Sequence, residues 1–130
     1  MGAKQSEDFE KDIVSFDQAI ELCKIGFNKQ TLCGYDIADR QLYLCQVDED
    51  GIYMPQKDLA APTKSQVFRW FMEKYECYYE IWQYEDDLSF AFAVKIMFKR
   101  YDAEVGFKTY EEAENACIEK LLELAKQQDK

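Results

Sequence analysis

Histidine is absent from this chain of 130 residues. Its absence removes the commonest general base and the commonest metal ligand. It also rules out serine–histidine and cysteine–histidine nucleophile systems within one chain. Glycine and proline are scarce, at 5 and 2 residues, so the main body does not have the composition of a disordered segment. Gly26, Gly34, Gly51 and Gly106 stand alone, and no phosphate-cradling loop is visible. No apolar run approaches the length needed to cross a bilayer, so no membrane partner is expected. Residues Met1–Asp12 are polar and mostly charged and lack the apolar stretch of a secretory signal. They read as a mobile acidic tail on a cytoplasmic protein. Their start, Met1-Gly2-Ala3-Lys4-Gln5-Ser6, fits the short myristoylation pattern, which has meaning only in a eukaryotic cytosol and is set aside.

What is present is apolar and acidic. Apolar residues make up 48% of the chain and aromatics 15%, enough for one hydrophobic core over 13–130. The net charge of −10 repels nucleic-acid backbones, so direct binding to DNA or RNA is disfavoured. The cysteines, Cys23, Cys33, Cys45, Cys77 and Cys117, are odd in number, widely spaced and without a C-x-x-C pair. They read as reduced, mostly buried side chains rather than disulfides or metal ligands.

Helix signals fall at three places. Ser15 with Gln18 forms a capping box, Ala19, Ile20, Leu22 and Cys23 give an apolar face, and Gly26 supplies the stop. Thr63 with Gln66 opens a second helix through Val67, Phe68, Trp70, Phe71, Met72 and Tyr75, apolar on most sides. Thr109 with Glu112 opens a third, with Ala113, Cys117, Leu121 and Leu124 as its inner stripe. Strands are expected at Tyr35–Ile37, at Gln41–Val47 returning through an Asp50-Gly51 turn to Ile52–Met54, at Cys77–Tyr84, and at Leu88–Lys99. In the last of these, Leu88, Phe90, Phe92, Val94, Ile96 and Phe98 form the core face. The expectation is an α+β domain with an antiparallel sheet and three helices, in the order helix–strands–helix–hairpin–helix.

Ala61-Pro62-Thr63-Lys64-Ser65-Gln66-Val67-Phe68-Arg69-Trp70-Phe71-Met72-Glu73-Lys74-Tyr75 resembles the A-P-x-x-x-Q-x-x-x-W-F-R-E-K-Y/H segment of an uncharacterised family of small phage and prophage proteins. Thr109-Tyr110-Glu111-Glu112-Ala113 resembles their closing T-x-E-E-A helix, and Ile20–Phe27 their first helix. The resemblance covers roughly 16–126 in three patches, and departs at Met72, where the family often has arginine. It implies a bacterial, phage-related origin and a compact α+β fold, and supplies no catalytic residue.

Candidate chemistry is thin. Asp48-Glu49-Asp50-Gly51 is similar to part of an EF-hand loop, but Gln46 and Lys57 then occupy the first and twelfth ligand positions, and both fail. Asp86 and Asp87 read as solvated turn residues, and Glu111 and Glu112 as partners of a helix dipole. Cys33, beside Gly34, lacks a histidine to activate it. No cofactor or metal is expected, and the chain reads as non-enzymatic.

The aromatics carry more information. A hairpin turning at Asp86-Asp87 pairs Tyr79 with Val94 and Ile81 with Phe92. Slipping by one residue would bury Glu80 against Phe92. In the preferred register Tyr78, Glu80, Trp82 and Tyr84 share the opposite face with Ser89, Ala91 and Ala93. Tyr78, Trp82 and Tyr84 are the candidate partner surface, unless a helix covers them or the rings lie over their small neighbours. The partner would be a host or phage protein, or a second copy through facing strips. The alternative is an acidic DNA mimic that inhibits a host nucleic-acid-binding protein, using Glu112, Glu119 and Glu123 along the last helix.

Overall fold

The computed structural model describes residues 10–55, 57–96 and 100–128. Two compact units divide between Val67 and Phe68. The architecture is α+β, with three helices and antiparallel sheets in the order helix–strands–helix–strands–helix. The myristoylation pattern and Met97, Phe98 and Lys99 lie outside the described residues, as does most of the expected acidic tail.

In the first unit, residues 12–14 are already part of the fold. Ile13 bridges Thr63, the Val14 N–H donates to the Pro62 carbonyl at 3.1 Å, and the Lys64 N–H donates to the Asp12 carbonyl at 2.9 Å. Helix α1 spans Phe16–Lys24. Its start is the expected capping box: the Gln18 N–H donates to Ser15 Oγ at 3.1 Å, and the Ser15 N–H donates to Gln18 Oε1 at 3.0 Å. Its end is a Schellman turn, with Gly26 at φ 96° and the Phe27 N–H donating to the Leu22 carbonyl at 2.9 Å. Ala19 and Leu22 are buried as expected, but Cys23 is exposed.

The strands that follow are shorter and more broken than the sequence suggests. β1 (Cys33–Tyr35) is the centre of a three-stranded sheet between β2 (Leu42–Leu44) and β5 (Leu59–Ala61). The expected strand at Tyr35–Ile37 therefore lies two residues earlier, and Ile37 is exposed. Asp36 ends it, because its Oδ1 accepts the Ala38 N–H at 2.8 Å and starts the turn. The single strand expected over Gln41–Val47 is split at Cys45: its N–H still donates to the Leu32 carbonyl opposite, at 2.8 Å, and from Gln46 the chain pairs with a different strand. β3 (Gln46–Asp48) and β4 (Gly51–Tyr53) form a separate hairpin. Its turn residues are Glu49 and Asp50, since Gly51 pairs with Asp48, one position off the expected Asp50-Gly51 turn.

Gly34 has a specific reason to be glycine. A Cβ there would lie 2.9 Å from both Met54 Sδ and the Tyr43 hydroxyl oxygen. Tyr43 is its partner across the sheet, and that hydroxyl donates to Asp58 Oδ2 at 2.6 Å. The bare backbone lets the ring lie over β1 and reach the carboxylate.

Helix α2 spans Lys64–Tyr75. Thr63 caps it, its Oγ1 accepting the Gln66 N–H at 3.1 Å. The Gln66 side chain does not close a capping box; it donates instead to the Gln30 carbonyl at 2.9 Å. Val67, Phe68, Trp70, Phe71 and Tyr75 are buried, and Met72 is exposed.

The second unit is built on β6 (Tyr78–Gln83), β7 (Phe90–Ile96) and β8 (Arg100–Phe107), in that spatial order, with helix α3 (Tyr110–Gln128) packed on them. The register is the expected one, Tyr79 opposite Val94 and Ile81 opposite Phe92. Three details differ. The loop closes over Glu85–Leu88, with the Leu88 N–H donating to the Tyr84 carbonyl at 3.0 Å, and Leu88 takes φ 62° and is exposed rather than core. Ala91 and Ala93, whose side chains point to the other face, are buried along with Phe92 and Val94. The third strand, β8, extends the hairpin into a sheet. Thr109 caps α3, and Ala113, Cys117, Leu121 and Leu124 are buried as its inner stripe.

Candidate partner-binding face

The two faces of the β6–β7–β8 sheet differ in cover. On one side Tyr79 stacks on Phe68 of α2 at 4.0 Å between ring centroids, Phe90 meets Tyr110 of α3 at 6.0 Å, and Phe92 stacks with Phe107 at 5.8 Å. Both helices thus lie on the Tyr79–Phe92 side. Burial there pushes the Tyr79 hydroxyl above its ordinary pKa, with the nearby Cys117 and Glu114 adding to the effect.

Alternation of side chains sends Tyr78, Glu80, Trp82 and Tyr84 to the other side. Tyr78 is 55% exposed and Tyr84 41%, while Trp82 is half-buried opposite the buried Ala91. Trp82 and Tyr84 meet edge to face, 6.0 Å between centroids at 76°, and form an open corner. Tyr78 stands at the far end of β6, its hydroxyl donating to Glu80 Oε2 at 2.6 Å. The structure thus joins two of the three candidate residues directly and places the third along the same strand.

Two further residues widen this face. Ala103 lies opposite Ala93, and both Ala103 and Val105 are exposed, Val105 at 64%. Sequence reasoning missed them, although Tyr101, Ala103, Val105 and Phe107 alternate with Arg100, Asp102, Glu104 and Gly106 in a strand period. At the tip, Glu85, Asp86, Asp87 and Leu88 are all exposed. Asp87 Oδ1 accepts the Ser89 N–H at 2.9 Å, which holds the Asp87 carboxyl below its ordinary pKa.

Other candidate chemistry is dispersed or shielded. Cys33 is buried, and burial first, then the nearby Cys45, pushes its thiol up to about 11, so it stays protonated at neutral pH. Glu111 and Glu112 are exposed at the start of α3, where Glu112 Oε2 accepts the Lys108 N–H at 2.9 Å. Among the described residues no group of three cysteine, aspartate or glutamate side chains is placed to hold a metal ion. A pocket of about 200 Å³ in the first unit is lined by Cys23, Phe27, Asp58 and Leu59 among others. It is smaller than the about 300–1,000 Å³ typical of small-molecule sites. No helix among the described residues is long and apolar enough to cross a membrane.

All five cysteines are free, and only Cys23 is exposed. In native protein a disulfide thiol reagent is expected to modify Cys23 rapidly and the other four only as fast as the chain opens. Mass spectrometry of a time course checks this. Early modification of Cys117 would mean that α3 is not seated as described.

No family model, no curated protein and no solved structure matches this chain.

Proposed function

We propose that this chain is a non-enzymatic, phage-related protein of the bacterial cytoplasm that binds another protein through the outer face of its β6–β7–β8 sheet. The observation that carries this reading is the grouping of Tyr78, Trp82, Tyr84 and Val105 on the side away from α2 and α3, in a unit whose other large apolar residues are mostly buried among those described. Tryptophan and tyrosine bury much area with few rotatable bonds, which is why they dominate binding hot spots. The phage connection rests on the sequence patches around Ala61–Tyr75 and Thr109–Ala113. Free, mostly buried thiols suit a reducing compartment.

The DNA-mimic alternative gains no comparable support. Lys120 Nζ lies 3.2 Å from Glu123 Oε2, inside the stripe that would have to imitate phosphates, and Glu112 is engaged with the Lys108 N–H.

Trp82→Ala tests the proposal. It should change unfolding free energy by no more than about 1 kcal/mol, as for a partly exposed residue. It should also abolish recovery of the partner when the tagged chain is drawn from the natural host. A loss of several kcal/mol in urea melts would show that Trp82 serves the fold, and the proposal would fail.

A further inference from the structure

We infer that the outer face takes a cationic protein segment, with an arginine seated in the Trp82–Tyr84 corner and its neighbours answered by the acidic loop Glu85–Asp87. This rests on the reading of that face as an interface, and adds the chemistry of the occupant. The first support is geometric. Two rings at 76° with centroids 6.0 Å apart offer one flat wall and one edge, and a planar guanidinium stacks on such a wall better than a compact ammonium does. The chain holds a guanidinium in this way elsewhere, with Arg40 4.9 Å over the Phe16 ring.

The second support is charge. No lysine or arginine occurs between Gln83 and Val94, so Glu85, Asp86 and Asp87 have no basic neighbour in their own hairpin arm. Glu80 adds a further carboxylate to the same face two residues before Trp82. Lys95, opposite Tyr78, gives the face its basic end. The face is thus graded, aromatic and acidic toward the tip, and fits a segment that is basic where it meets the tip. With a net charge of −10, the chain as a whole would draw in such a partner and repel acidic ones.

The test uses the full chain, labelled for amide and indole NMR, titrated with hepta-arginine and hepta-lysine peptides. Hepta-arginine should shift the Trp82 indole, Tyr84 and 85–88 selectively, and bind about tenfold more tightly than hepta-lysine. Trp82→Ala should remove that preference. The set Glu85→Gln, Asp86→Asn and Asp87→Asn should weaken binding and flatten its salt dependence. A control set, Glu49→Gln, Glu73→Gln and Glu111→Gln, removes the same charge from exposed positions elsewhere and should do neither. Equal weakening by the two sets, or equal binding of the two peptides untouched by Trp82→Ala, would overturn the inference in favour of general attraction to an acidic protein. Absence of any selective shift would overturn it too. Sedimentation then separates the two ideas. A homodimer that Trp82→Ala dissociates would keep the face as an interface with a different occupant. A monomer destabilised by Trp82→Ala would remove both.

Discussion

Phe92→Ala lowers the unfolding free energy of the second unit by about 3–5 kcal/mol, the range for truncating a fully buried phenylalanine. Phe92 is 0% exposed, in the middle strand, with Ile81 opposite it on β6 and the Phe107 ring stacked 5.8 Å away. Truncation removes the ring's own burial and also strips contacts from the walls of the space it leaves. Ala91 and Ala93 on either side face the other side of the sheet and cannot refill that space. A loss of this size is a large share of the about 5–15 kcal/mol that holds a typical domain together. Urea melts of the two proteins measure it, and a midpoint within error of wild type would contradict the described packing.

The second large effect is loss of stability in alkali. Burial pushes the Cys77 thiol up to about 12 and the Cys33 thiol up to about 11, and raises Cys117 still further. An unfolded thiol ionises near ~8.5. Above that pH the unfolded chain gives up protons that the folded chain keeps, so the native state binds more protons and stability falls as pH rises. The contribution is whole below about pH 8.5 and is lost progressively toward the raised native values. Each such thiol costs up to about 1.4 kcal/mol per pH unit inside its window. The raised tyrosines, Tyr43 and Tyr79 among them, extend the decline upward from about pH 10. Urea midpoints under reductant should therefore drop steeply between pH 8 and pH 10. Cys117→Ala should make that slope shallower, whatever it does at pH 7. A flat profile over the same interval would mean that the thiols are reached by water.

Much of this architecture was legible because local and tertiary demands agree. Ser15 with Gln18, Thr63 and Thr109 announce helix starts with side chains that reach orphan N–H groups, and all three cap, though only Ser15 closes its capping box, because Gln66 turns to the Gln30 carbonyl and Glu112 to the Lys108 N–H. The β6–β7 register was legible because a slip would have buried Glu80. The first unit was read less well. Its strands are three residues each, so alternation has no length in which to show, and a change of partner, from β1 before Cys45 to β4 after it, decides where they break. β5 has only Leu59-Ala60-Ala61 to declare it, and its place beside β1 comes from partners distant in sequence. Leu88 was misread because its side chain fits the alternation while its backbone serves the loop. The candidate face was legible as a set of residues, since alternation alone puts Tyr78, Trp82 and Tyr84 together. Its width was not, because that depends on β8, and neither was the corner between Trp82 and Tyr84, because ring orientation is set by packing.

The irregularity between β7 and β8 resets parity along the last strand. Glu104 lies opposite Phe92, yet it is Phe107, not Gly106, that lies opposite Phe90, and Gly106 takes φ 90° in between. One surplus residue turns everything beyond it to the other side. Ala103 and Val105 can therefore vary with the needs of the open face, while Phe107 remains committed to the helix side and leads into α3. Deleting the surplus residue would restore plain alternation with Phe107 still opposite Phe90, whereas inserting one more residue here would turn Phe107 to the other side and leave Phe92 without its stacking ring. The bulge lets a single strand answer to two neighbours, and lets one side of the sheet change without rewriting the other.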